Sequence, residues 1–403
     1  MKSRIEARNA QASQGWNFAR LRRITTASHR YMAEVDGLRF IAIFSVMFFH
    51  VFYMATHVPG VVLANSPFSF LIWPMTHGDL GVQLFFLISG FILGLPFAAH
   101  CLTNGPAVHV GRFYLRRLTR LEPPYILALL MFYAAAVVMH NRHTHEPGFF
   151  SGLPLRLGYA YLFVRRERTM LDGVTWTLEI EVQFYLLAPL LAQVFKLATG
   201  PRRLILIAAI CGAPLLARVV PRGEFTLLGF AQFFLTGFLL ADIHSSGAGA
   251  GRLSARFYDL VGSGCLLTLS LVPETPVLMP FLPWLLGGIF IGALRGGWFT
   301  SFLRRPSISV LGGMCYSLYL LHNPILSFIA TKIVRNGMTL PQAYVRLGVV
   351  GLPIAVAAGI AYYIIIERPC MNPNWPQLAF QHASRLIGAA SKTVRLPPRS
   401  CGK

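Results

Sequence analysis

Ten apolar runs, each near or above the length that crosses a lipid bilayer, constrain this chain more than any other feature. They fall at 38–56, 71–98, 121–139, 176–197, 203–220, 225–243, 257–273, 277–294, 308–331 and 345–366. About twenty residues rising about 1.5 Å each span a hydrocarbon layer of about 30 Å. Inside lipid the backbone must satisfy its own hydrogen bonds, so runs of this length fold as helices. The expected fold is all-α: a polytopic integral membrane bundle of about ten transmembrane helices. Only 13% of the 403 residues are charged and 55% are hydrophobic, whereas a soluble domain carries about 25% charged residues.

The formal charge of +21 would, by itself, suit a nucleic-acid partner. The basic residues sit between the apolar runs rather than along one stripe, and no nucleic acid is expected. With the N-terminus cytoplasmic, 26 of the 36 Lys and Arg residues fall in inner segments and 10 in outer ones. That bias follows the positive-inside rule and predicts N-in and C-in topology, multi-pass, in the cell inner (plasma) membrane. Residues 1–33 read as a basic cytoplasmic tail without the apolar stretch of a signal peptide, and 370–403 as a second one. The connection 140–175 is expected along the outer membrane surface. The six cysteines are scattered with no C-x-x-C pair, so neither a disulfide framework nor a metal site is expected.

Ionisable side chains inside lipid are costly and need a partner or a purpose. On the first run, Arg39 and His50 lie eleven residues apart and point within about 20° of each other, with Asp36 one turn earlier on the same face. His50 stands about 18 Å above Leu38. In the fourth run, which descends from outside, Glu181 falls about 22 Å from the inner side, close to the height of His50. In the ninth, counting from Ile308 places Tyr319 and His322 at about 17 and 21 Å. Three helices are thus expected to bring a carboxylate, two imidazoles and a phenol to one depth.

At the inner mouth, FYLRRLTRLEPPY sets Arg116, Arg117 and Arg120 at i, i+3 and i+4 spacings, a guanidinium cluster suited to phosphate. Plainer uses exist for every one of these groups. His50 can pack helices, the arginines can serve topology alone, and Tyr316, Tyr319, His322 and Asn323 can form an interhelical hydrogen-bond network. Asp36 can do no more than neutralise Arg39, and Asp242 is expected to find a partner near the membrane interface.

The segment EVDGLRFIAIFSVMFFH (34–50) resembles the opening signature of the membrane acyltransferase-3 family, a D-G-L-R element with a His eleven residues after the Arg. GVQLFFLISGF (81–91) matches that family's second block, and Arg117 and Arg120 its R-x-x-R element. TWTLEIEVQFY (175–185) is similar to its W-S-L-x-x-E-x-x-F-Y block, which maps the glutamate to Glu181 and leaves Glu179 as extra. CYSLYLLHNPI (315–325) matches Y-x-L-Y-L-x-H-x-P, and Glu367-Arg368-Pro369 the closing E-x-P. Thr177 and Cys315 stand where the family commonly has Ser. The blocks run in the family's order, so the resemblance makes 34–369 a transmembrane acyltransferase domain. Some relatives carry a fused extracytoplasmic esterase-like domain, for which the stretch after Pro369 is expected to be too short.

The resemblance implies O-acylation, acetylation foremost, of a carbohydrate or lipid-linked carbohydrate from cytoplasmic acyl-CoA, a co-substrate rather than a resident cofactor. Arg39, Arg116, Arg117 and Arg120 are then the donor-binding residues, supported by Asp36. His50 is expected to act as general base on the acceptor hydroxyl, with an acyl-enzyme on His50 as a variant. Glu181 either orients His50 or grips sugar hydroxyls, and Tyr319 or His322 stabilises the oxyanion. The reading from a different class is a transporter or flippase for a lipid-linked or polar metabolite, which buried His, Glu and Arg also suit. Internal repeat symmetry would favour it, and the sequence has none. A purely structural scaffold leaves the polar layer without a purpose.

Overall fold

A computed structural model describes residues 21–23, 31–62, 76–139, 150, 152–159, 174–221, 223, 226–247, 253–271, 279–372, 374, 375, 377 and 384. The described residues are helical, with no strand among them. One isolated bridge pairs Val62 with Thr339. In chain order the helices are α1 (Ala33–His57), α2 (Leu80–Thr103), α3 (Val110–Val138), α4 (Leu153–Leu157), α5 (Thr175–Leu191), α6 (Thr199–Val219), α7 (Leu227–Ser245), α8 (Ala255–Leu271), α9 (Leu282–Arg295), α10 (Trp298–Leu303), α11 (Pro306–Gly313), α12 (Cys315–Ile333) and α13 (Leu340–Tyr362). A π-turn, Tyr363–Glu367, and the short helix Arg368–Cys370 extend α13.

Among the described residues, six helical segments are long and apolar enough to cross a membrane: Ala33–His57, Leu80–Thr103, Val110–Val138, Thr175–Lys196, Leu227–Ser245 and Leu340–Cys370. Met279–Arg295 is a shorter apolar helix. The remaining runs at 203–220, 257–273 and 308–331 also fall on helices, namely α6, α8 and the α11–α12 pair. The outward surface suits lipid: Val219, Val138 and Leu260 are each more than 70% exposed, an arrangement water would punish. The molecule is a multi-pass membrane protein.

Two features set by small residues and aromatics hold the bundle. Gly90 of α2 lies against the Phe234 carbonyl and Gly237 of α7 against the Leu87 carbonyl, so a Cβ at either would run into backbone. Close approach of this kind is how helices gain dispersion energy where lipid removes the hydrophobic drive. Around that crossing, Phe86, Phe184, Phe234 and Phe238 stack or meet edge to face at centroid distances of 4.2–5.4 Å. On the other side, Gly312 of α11 abuts the Asp36 carbonyl of α1.

Two expectations change. The run 308–331 is not one helix, because the chain breaks at Met314 and α12 begins only at Cys315. Depths counted from Ile308 therefore start from the wrong origin. α3 begins at Val110, eleven residues before the expected span, so its arginines ride on the same helix as the apolar stretch. Of the connection 140–175, residues 140–149, 151 and 160–173 lie outside the described residues, as do most of both tails. Its described helix α4 is seated on α3: Arg156 is buried and donates to the Tyr133 hydroxyl, and the Tyr125 hydroxyl donates to the Arg156 carbonyl.

Candidate active site

The first turns of α1 carry Asp36 and Arg39, and His50 follows about 17 Å farther along the same face. Each of the three meets a different set of neighbours, and together they trace a polar column along the bundle with an Arg39 end and a His50 end.

At the His50 end, α1 and α12 bring two imidazoles together. His322 Nε2 lies 3.3 Å from His50 Nδ1, with the ring planes at 78°. His322 Nδ1 faces the carbonyls of Tyr319 and Leu318 at 2.8 and 3.1 Å. Carbonyls only accept, so this nitrogen carries the proton and Nε2 is the acceptor. His50 Nδ1 has the Val46 carbonyl at 2.9 Å on its other side. Both neighbours of that nitrogen accept, which assigns the Nδ1–H tautomer to His50. Its Nε2 is left basic and without a hydrogen-bond partner among the described residues. The arrangement suits proton abstraction, with the second ring holding the first in the required tautomer.

Tyr319 sits beside His322, its ring centroid 5.6 Å away, but its hydroxyl is engaged elsewhere. It donates to the Val174 carbonyl at 3.0 Å and lies 2.7 Å from Thr177 Oγ1. Tyr319 thus ties α12 to the start of α5.

Glu181 does not share that level. Thr177, Glu181 and Tyr185 follow each other at four-residue steps on one face of α5, and Glu181 meets its partners a turn closer to the Arg39 end. Ser89 of α2 donates to Glu181 Oε1, and the Tyr185 hydroxyl turns to the same carboxylate. Phe85, one turn from Ser89 on α2, packs edge-on against Tyr319 and links the two levels.

At the Arg39 end, Asp36 is fully buried and takes two guanidiniums, Arg39 Nη1 at 2.7 Å and Arg23 Nε at 3.0 Å. Glu367, also fully buried, accepts from the Ser317 N–H at 3.2 Å and from Ser317 Oγ at 2.6 Å. Its other oxygen lies 3.9 Å from Arg120 Nη2, an ion pair without a hydrogen bond. Arg117 lies over the Phe113 ring at 3.6 Å and near that of Tyr185 at 5.6 Å, within electrostatic reach of Glu181. Arg116 points out of the cluster and is exposed. Arg39, Arg117 and Arg120 therefore converge while Arg116 does not.

Sequence reasoning passed over Arg23, Ser89, Tyr185, Ser317 and the role of Glu367. Tyr185 stood one turn from Glu181 and could have been found. Arg23 lies in a polar tail that carries no signal of burial.

An apolar cavity of about 280 Å³ opens between α1, α2, α8 and α9, lined by Ile41, Phe44, Ser45, Gly78, Leu269 and Ile289 among others. It lies on the face of α1 opposite His50 and shares no residue with the polar column. Chemistry rather than volume marks the candidate site.

Comparison with known proteins follows the same residues. O-acetyltransferase OatA of Staphylococcus aureus (strain NCTC 8325 / PS 47) is 25% identical over 392 residues, covering 88% of this chain and 59% of that protein. Exopolysaccharide production protein ExoZ of Rhizobium meliloti (strain 1021) is 27% identical over 316 residues, covering 74% of this chain and 90% of ExoZ. Peptidoglycan O-acetyltransferase OatA of Listeria monocytogenes serovar 1/2a is 22% identical over 348 residues, covering 76% of this chain and 51% of that protein. The chain thus spans little more than half the length of the two OatA relatives. No solved structure matches it significantly. The acyltransferase domain of the acyltransferase-3 family (Acyl_transf_3) matches residues 32–364, from just before the D-G-L-R element to the π-turn. On that match, which covers well over half of its length, the chain belongs to the acyltransferase-3 family.

Proposed function

We propose that this chain is a membrane O-acyltransferase that moves an acyl group, acetyl foremost, from cytoplasmic acyl-CoA to a hydroxyl of a carbohydrate or lipid-linked carbohydrate. The observation that carries the reading is the pair of polar clusters along one face of α1, a basic imidazole nitrogen at one end and convergent arginines at the other. The names of the relatives, which speak of O-acetyl transfer, peptidoglycan and exopolysaccharide production, support the transferred group and a glycan acceptor.

In this reading about ten helices span the inner membrane with both termini cytoplasmic, and the Arg39 end faces the cytoplasm. Arg117 and Arg120, with Arg39 behind them, bind the phosphates of coenzyme A. The pantetheine arm lies along the column past Glu181 and presents the thioester near His50. His50 Nε2 takes the proton of the acceptor hydroxyl as its oxygen attacks the thioester carbonyl. Collapse of the tetrahedral intermediate breaks the carbon–sulfur bond, and the departing thiolate takes the proton back from His50 as free coenzyme A. The products are the sugar ester and CoA-SH. Tyr319 and His322 support this as positioning groups, since the Tyr319 hydroxyl and His322 Nδ1 are already occupied by backbone carbonyls.

The test is transfer of label from radiolabelled acetyl-CoA to cell-envelope glycan by purified protein in proteoliposomes. Label on the glycan with equimolar CoA release supports the reading. Absence of both consumption and binding of acetyl-CoA by the wild-type protein would remove acyl-CoA as the donor.

A further inference from the structure

α3 carries Arg117 and Arg120 directly before two consecutive prolines, Pro123 and Pro124. Proline has no N–H, so the carbonyls of Thr119 and Arg120, four residues back, lose their helical donors. Inside a membrane an unsatisfied carbonyl is costly, and a helix with two such gaps is soft at that turn. The arginines of the donor site thus sit on the turn least able to hold its own shape.

Three side chains from outside α3 supply hydrogen bonds there. The Trp375 indole N–H, beyond the end of α13, donates to the Thr119 carbonyl at 2.8 Å. The Tyr316 hydroxyl on α12 donates to the Leu121 carbonyl at 3.0 Å. The Tyr362 hydroxyl at the end of α13 donates to the Pro124 carbonyl at 2.6 Å. The three acceptors, residues 119, 121 and 124, bracket Arg120 on both sides. Between Tyr362 and Trp375 the chain makes the π-turn that brings Glu367 beside Arg120. One stretch of α13 and its extension therefore fixes both the backbone under Arg120 and the charge beside its guanidinium.

We propose that Tyr316, Tyr362 and Trp375 form a latch that positions the arginine turn of α3 for the phosphates of the acyl donor, so that donor affinity depends on residues that do not touch the donor. The inference rests on the acyl-CoA reading above. The latch acts on binding and not on the proton transfer at His50, because its bonds end at the opposite end of the column.

The test uses full-length protein in lipid nanodiscs, with acetyl-CoA as the probe, and the variants Trp375→Phe and Tyr362→Phe. Tyr362→Phe keeps its ring, Trp375→Phe keeps an aromatic ring in place of the indole, and each loses one donor. Equilibrium binding and steady-state kinetics are measured together. Loss of one such hydrogen bond is expected to weaken acetyl-CoA binding and raise the donor KM about fivefold, with kcat retained. The double variant is expected to weaken it further. Wild-type affinity in both single variants, or a fall in kcat at unchanged KM, overturns the latch. Should Tyr362→Phe not fold, the Trp375→Phe result decides, since that side chain is only half buried. If the wild-type protein itself fails to bind acetyl-CoA, the donor reading falls and the latch with it, an outcome distinct from equal binding by wild type and variants.

Discussion

Two clusters of buried charge in this bundle contrast in how completely they are satisfied. At Asp242 on α7, both carboxylate oxygens are in close ion pairs, with Arg202 Nε and Arg203 Nε at 2.6 Å each, the second a hydrogen bond and the first not. The guanidiniums have further partners: Arg202 donates to the Leu197 carbonyl and to Thr199, and Arg203 to Ser246. At the Arg39 end, Arg120 has, among the described residues, only a 3.9 Å ion pair with Glu367, and its side chain remains 35% exposed. Arg116 faces outward altogether. The closed cluster joins α6 to α7, whereas the open one has donors left for a ligand. Burial of charge alone does not distinguish structure from function here; unspent hydrogen-bonding capacity does.

That contrast is open to attack by substitution. The largest effect is expected at the closed cluster, on stability. Asp242→Ala leaves two guanidiniums without their shared carboxylate and should cost about 3–5 kcal/mol. Thermal unfolding in detergent should show the loss, while kcat per folded molecule stays near wild type. A catalytic collapse without loss of stability would erase the distinction between the clusters. Arg120→Ala should act in the opposite way, raising the donor KM about tenfold or more with little change in unfolding temperature. Ser89→Ala removes a hydrogen bond from the half-buried Glu181 carboxylate and should lower the transfer rate about tenfold, read in the same labelled-donor assay. Arg116→Ala, exposed and outside the cluster, should change the donor KM by less than about threefold. An Arg116 effect equal to that of Arg120 would show that the phosphate site extends onto the outer face of α3.

Much of this was legible before any coordinates. The apolar runs gave the helices because lipid length and backbone satisfaction leave few alternatives. The eleven-residue spacing placed His50 and Arg39 on one face of α1, and His322 does meet His50. The reasoning failed where geometry depends on how helices enter and break. Met314 interrupts the ninth run although neither proline nor charge marks it, and the flanking Gly312 and Gly313 are the only local hint. Glu181 finds its partners in Ser89 and Tyr185 rather than in the histidine pair, and residue number along one helix does not say which neighbours a side chain meets. Arg23 and Trp375 belong to the polar flanks, whose burial comes from tertiary contacts with α1 and α3. The prolines at 123 and 124 announced missing donors, yet nothing nearby in the chain named Trp375, whose indole replaces the one lost at the Thr119 carbonyl.

The central claim is that the imidazole of His50 removes the acceptor's proton while its partner fixes the tautomer. The most direct measurement is single-turnover transfer from labelled acetyl-CoA by His50→Ala, in protein shown to insert, fold and bind the donor as wild type does. Loss of general-base catalysis predicts a rate lower by about 10²–10⁴-fold at unchanged donor affinity. Transfer at the wild-type rate would contradict the account and move the chemistry elsewhere in the bundle.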